Sequence, residues 1–188
     1  MTALIAALTS AAVTGCSGES AAEGEPVPSL REAIRPAPAF ALETLDGDSL
    51  TLASLAADHR AILINFWASW CEPCKAEIPD LMALHDAYGD RGFTVLGVTV
   101  NDLPRDSRQF ARDMQMNYPL VIGTPAMLEE YRLSPWLPTT LLVVDEEVVE
   151  EWIGPRTRKE FEYPIRVALG LAPPVESVLE DTAPAGER

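Results

Sequence analysis

The stretch AILINFW, Ala61–Trp67, is a short, nearly unbroken run of apolar, β-type residues. A half-exposed strand alternates apolar and polar positions, whereas an unalternating run asks for a strand covered on both faces, which a sheet between helix layers provides. A second run, FTVLGVTV at 93–100, has the same character. Between them Ile78, Leu81, Met82 and Leu84 or His85 recur at three- and four-residue steps, which predicts a helix over 74–88 closed by Gly89. Strand, helix and strand then form a parallel βαβ unit with a right-handed crossover. Downstream, RDSRQFARDMQM carries Phe110 and Met114 at helical spacing. TTLLVVD and VVEEWIG read as a hairpin through Glu146-Glu147, and RTRKEFEYPIRVALG as a last helix kinked at Pro164. Upstream, FALETLDGDSLTLASL alternates around Asp46-Gly47, the signature of a type I′ hairpin, with Ser54 placed to cap a short helix. The pattern is an α/β fold with a small N-terminal hairpin.

At 188 residues and 47% hydrophobic, the chain has enough apolar surface for a single core. Its net charge of −15 repels phosphate backbones, which excludes nucleic acid as a partner. Residues 1–15, MTALIAALTSAAVTG, carry no charge and are too short to span a bilayer, and they read as an export signal. Val13, Thr14 and Gly15 before Cys16 resemble a bacterial lipobox, which would make Cys16 the acylated residue; the alternative is a plain secretory signal with an unrelated cysteine. No Lys or Arg precedes the apolar stretch, contrary to the signal pattern. Both readings put the mature domain outside the cytoplasm, where disulfide chemistry is permitted. Residues 16–37, rich in small residues, Pro and Glu, read as a flexible tether, 38–172 as the folded domain, and 173–188 as a loose acidic tail.

The apolar run ends in WCEPCK, with Cys71 and Cys74 two residues apart. Such a pair can be a redox couple, half of a metal site or a staple. Structural zinc needs four N or S ligands, and neither His59 nor His85 is spaced to complete a tetrahedron. A soft ion such as Cu(I) could take two thiolates, so metal transfer stays open. A staple closing so short a loop restrains little. Beside a βαβ pattern the redox arrangement fits the physics: Cys71 precedes the first turn of a helix, whose free N–H groups and dipole favour its thiolate, while Cys74 lies one turn further in. Pro73 suits a first helical turn. Glu72 stabilises the helix end but, next to Cys71, partly offsets the effect of the dipole on the thiolate.

NFWASWCEPCKAEIP, together with the hairpin, the VTVND…F…YP segment and LPTT, resembles the TlpA/ResA-like extracytoplasmic thiol-disulfide oxidoreductases of the thioredoxin superfamily over about residues 40–170. The resemblance implies a thioredoxin-like fold with an N-terminal β-hairpin and a central αβ insertion. It implies that Cys71 is the exposed nucleophile and Cys74 the resolving thiol, joined in a redox disulfide. Pro138 then matches the cis-proline packed over that disulfide, and the backbone of Leu137 marks where a client strand docks. Trp136 adds a residue that many relatives lack. Asn65 stands where cytoplasmic thioredoxins carry an acid, and Asp102 occupies the place where some relatives put one, as a proton handler or as an ordinary helix-start acid. Trp70 reads as substrate surface and Trp67 as packing.

The family implies a membrane-tethered reductase with no bound cofactor and no metal. Its partners would be clients such as apocytochrome c or copper-site proteins and a membrane thiol electron donor. The alternatives are a copper-binding chaperone and a peroxiredoxin-like enzyme; the P-x-x-x-T-x-x-C segment of the latter is not met, because Ala68 stands three residues before Cys71, where the segment needs Thr.

Overall fold

The computed structural model describes residues 34–173. At its centre β4 (Ala61–Trp67) runs parallel to β5 (Phe93–Thr99), from Ala61 opposite Phe93 to Trp67 opposite Thr99, and every residue of both strands is buried. On the other flank of β4 lies β7 (Thr139–Val144), antiparallel, followed by β8 (Glu147–Ile153) and the short β1 (Arg35–Pro36). β6 (Leu120–Ile122) adds a parallel edge beside β5, giving the order β1-β8-β7-β4-β5-β6.

Alternate residues of the buried strands face two cores. Ile62, Ile64, Phe66, Leu96, Val98, Leu141 and Val143 pack with Leu52 and Leu55 of α1 (Leu52–Asp58) and Met127 of α4 (Pro125–Glu130). Leu63, Val95 and Leu142 pack on the opposite face with Leu81 and Leu84 of α2 (Glu72–Tyr88) and Phe161 and Ile165 of α5 (Arg158–Ala168). This two-sided burial is what the unalternating runs required. α3 (Pro104–Asp113) sends Phe110 onto Trp67, ring centroids 5.6 Å apart.

The N-terminal hairpin forms from β2 (Ala41–Glu43) and β3 (Ser49–Thr51), but not through a type I′ turn. Of Asp46 and Gly47 only Gly47 has a positive φ, +99°, and Gly47 N donates to Thr44 O in a longer loop. Two consecutive positive φ values occur instead at Asp145 (49°) and Glu146 (64°), one residue before the turn expected in the second hairpin. Thr51, not Ser54, caps α1; Ser54 completes a capping box from the third helical position. Gly89 stays helical and leads into a 3₁₀ turn, and Gly92 (φ +81°) takes the left-handed position. α5 runs on through Pro164, and β1 draws Arg35 and Pro36, assigned to the tether, into the sheet. The short β6 and α4 were not separately expected from periodicity. The signal (1–15), Cys16 and nearly all of the acidic tail lie outside the described residues.

Candidate active site

The end of β4 and the start of α2 deliver the cysteines. β4 stops at Trp67, a turn through Ala68 follows, and Cys71 becomes the N-cap of α2, which begins at Glu72, two residues earlier than periodicity suggested. Pro73 occupies the first turn, where a missing N–H costs nothing. Cys71 and Cys74 form a disulfide with an S–S distance of 2.04 Å, and Cys74 N donates to Cys71 Sγ at 3.3 Å. Cys71 is only 4% exposed, more recessed than the expected exposed nucleophile; Cys74 is fully enclosed. Trp67, Ala68 and Ile78 surround the pair, and Leu137 packs against them from the loop before β7. The Leu137–Pro138 peptide bond is cis. Pro138 O accepts from Gly154 N at 2.8 Å and Trp136 O from Thr139 Oγ1 at 2.8 Å.

Two acids flank this pair in different ways. Asp102 sits in the loop after β5 and accepts from Ser69 N (2.7 Å), Ser107 Oγ (2.8 Å) and Leu103 N (2.9 Å). Partial burial pushes its carboxyl up, but these donors outweigh burial and leave it below the usual value. It therefore stays ionised and ties the loop before Cys71 to the start of α3. Glu77 is buried inside α2, three residues after Cys74 and so on a neighbouring strip of the helix, with Cβ atoms about 5–6 Å apart. Asn65 Nδ2 donates to Glu77 Oε1 at 2.8 Å, Thr140 Oγ1 to the same atom at 3.4 Å, and Arg156 N to Oε2 at 2.7 Å. Burial pushes its carboxyl up to about 7, against the pull of those donors.

A family described as AhpC/TSA matches residues 34–152. The thioredoxin-like protein YneN of Bacillus subtilis is 31% identical over 130 residues, covering 67% of this chain and 74% of YneN. The thiol-disulfide oxidoreductase ResA of the same organism is 33% identical over 123 residues, 64% of this chain and 67% of ResA. The chain belongs to the ResA-like thiol-disulfide oxidoreductases. A solved thiol:disulfide interchange protein of the thioredoxin family from Chlorobium tepidum superposes with a TM-score of 0.66 at 30% identity, covering 72% of this chain and 97% of that one. The thioredoxin-like fold read from the sequence is therefore the fold of this oxidoreductase.

Within the oxidoreductase, Cys71, Pro73, Cys74 and Leu137 meet around the disulfide. Trp70 lies on the surface beside them, its Nε1 donating to Asn101 O at 3.0 Å, while Trp67 is wholly buried. Glu72 points to solvent and pairs with Lys75 Nζ at 2.6 Å, so its charge is shared with a cation rather than aimed at Cys71 alone. His59 Nδ1 contacts Leu55 O and His85 Nδ1 accepts from Val95 N, which places both in local packing. Among the described residues no three His, Cys, Asp or Glu side chains gather as a metal ion would need. Sequence reading missed Glu77. The available signal was an acid beside the core positions Cys74, Ile78 and Leu81 of α2, in the second turn of a helix that starts at the disulfide.

Proposed function

We propose that this oxidoreductase works outside the cytoplasm as a reductase of client protein disulfides, held to the membrane by a lipid on Cys16 and recharged by a membrane thiol donor. The clients are of the kind whose cysteines must be reduced before a cofactor is attached, as in apocytochrome c or the copper-site proteins of oxidase assembly. The observation that most supports a client-facing disulfide is its seat at the N-terminus of α2 beside Leu137. Among the described residues neither backbone group of Leu137 has a hydrogen-bond partner, which leaves both for a client strand.

The chemistry follows from that seat. In the reduced protein the Cys74 N–H and the helix end stabilise a thiolate on Cys71, which attacks a client disulfide and releases one client thiolate. Cys74 then loses its proton and attacks Cys71 Sγ, breaking the mixed disulfide and closing the internal one, so that two electrons and two protons pass to the client. Glu77 is the group suited to take the Cys74 proton, because it is buried close by and titrates near neutrality. Asp102, held ionised by three donors, positions the loop before Cys71.

The test is the reduction potential of the Cys71–Cys74 couple, measured by equilibration with glutathione and with thioredoxin. The expected value lies near or below about −270 mV; a value close to about −120 mV would make the protein an oxidant and overturn the proposal.

A further inference from the structure

Six large apolar side chains are exposed among the described residues, and four of them ring the disulfide end of the sheet. Trp70 (59% exposed) precedes Cys71, and Leu103 (54%) follows Asp102, which holds Ser69. Trp136 (72%) precedes Leu137, and Ile153 (49%) pairs with Thr139 just beyond Pro138. Scattered apolar side chains are ordinary on a surface, but a majority gathered at one end is the mark of a contact surface.

At the same end of the sheet a cavity of about 240 Å³ opens on the α4 face, lined by Pro135 and Leu137, the chain neighbours of Trp136, rather than by the four exposed side chains themselves. Phe66, Val100, Leu128 and Leu133 line it, Asn101 and Leu137 form two of its walls, and none of its lining residues carries a charge. An apolar cavity of roughly 150 Å³ already accepts benzene, so this one has room for a leucyl or phenyl side chain. Both named walls continue into the redox site: the Asn101 carbonyl fixes the Trp70 indole, and Leu137 packs against the Cys71–Cys74 cluster. The recessed Cys71 sulfur excludes a folded client whose cysteine lies flush with its surface, and favours an extended segment laid along Leu137. Successive side chains of such a segment point to opposite sides, so one reaches the disulfide while a neighbour reaches the cavity.

We infer that this cavity is a specificity subsite for an unfolded client segment that carries a bulky, uncharged apolar side chain within three residues of its reactive cysteine. The inference rests on the disulfide-reductase reading above and names the client chemistry that reading leaves open. An acidic side chain at that position is excluded by the uncharged lining and by the net charge of −15.

The experiment uses the full chain, pre-reduced, against short disulfide-bonded peptides that differ only in the residue beside the cysteine: Ala, Leu, Phe or Asp. Bis(2-hydroxyethyl) disulfide serves as a substrate too small to need the subsite. The second-order rate constant should rise about tenfold from Ala to Leu or Phe, the factor that roughly half the burial of such a side chain supplies, and fall for Asp. Leu133→Trp, which fills the cavity, should level the series; the wild-type series decides the matter if that variant does not fold. Equal rates for all peptides, with the small disulfide still reduced, would remove the subsite and leave the reductase reading standing. Failure with every disulfide would remove both. A concentration-dependent dimer in light scattering that Trp136→Ala dissolves would show that a second copy occupies the surface, and would equally overturn the inference.

Discussion

Glu77 and Asp102 are acids on either side of one disulfide with opposite electrostatic fates. Glu77 keeps its proton in the folded state up to about pH 7, whereas an unfolded glutamate loses it near 4.5. Between those values the folded state binds more protons, so stability falls as pH rises through the window, by about 3 kcal/mol for this one group. Asp102 runs the other way: its folded pKa is lowered, so its contribution is present at neutral pH and is lost as pH falls through that lowered value. Urea midpoints of the oxidised protein measured against pH check both signs. Glu77→Gln should flatten the decline between about pH 4.5 and 7, and Asp102→Asn should cost about 2 kcal/mol at neutral pH while leaving that decline in place. The sequence made Asp102 visible because it follows a strand in a place the family uses. It hid Glu77 because the partners of that carboxylate, Asn65, Thr140 and Arg156, come from three separate elements and meet it only in the tertiary structure. In sequence Asn65 shows only that an acid is missing from its strand; its amide supports an acid supplied by the neighbouring helix.

Elements with many residues of one pattern were legible, and those whose pairing comes from elsewhere were not. β4, β5, α2 and α5 carry their burial in their own sequence. β1 is two residues long and β6 three, so neither can show a period; β8 and β5 supply the ladders that define them. Both hairpin turns depart from expectation, the first in type and the second by one residue in position. Asp-Gly permits a type I′ turn, but the loop from Thr44 to Asp48 takes a wider path and is tied back by Asp48 N to Thr44 Oγ1 at 3.0 Å. At Asp145 and Glu146 the backbone is left-handed, a conformation that aspartate enters more readily than glutamate, and Asp145 N donates to Arg60 O. Packing is also tight where β6 meets β5. A Cβ on Gly123, just after β6, would lie 2.7 Å from Val100 Cγ1, 2.9 Å from Val98 Cγ1 and 3.0 Å from Thr99 O. Stiff β-branched side chains and a backbone carbonyl cannot yield as the end of a leucine can. Gly123→Ala should therefore destabilise the protein by about 1–3 kcal/mol, read as a lower urea midpoint. An unchanged midpoint would mean that β6 moves away from β5 freely.

Across the whole molecule, α2 ties the redox site to the segment that leads from β8 into α5. Glu77 accepts from Arg156 N and Asp80 from Arg158 N, so two carboxylates of the disulfide helix hold the segment that enters α5. The site thus rests on a braced helix, and the chain's excess charge acts from outside it as a long-range field. With a net charge of −15, a cationic client is drawn in and an anionic one repelled before any contact forms. The screening length shrinks from about 30 Å at 0.01 M salt to about 8 Å at 0.15 M, so added salt should act on the encounter and not on the exchange chemistry. Two peptides with the same cysteines and the same apolar neighbour, one flanked by lysines and one by aspartates, separate the effects. Over that salt range the rate constant for the lysine peptide should fall by on the order of tenfold, that for the aspartate peptide should rise, and that for a neutral small disulfide should stay level. If all three changed in parallel, salt would be acting on Cys71 or on the fold, and charge would have no part in how this oxidoreductase meets its clients.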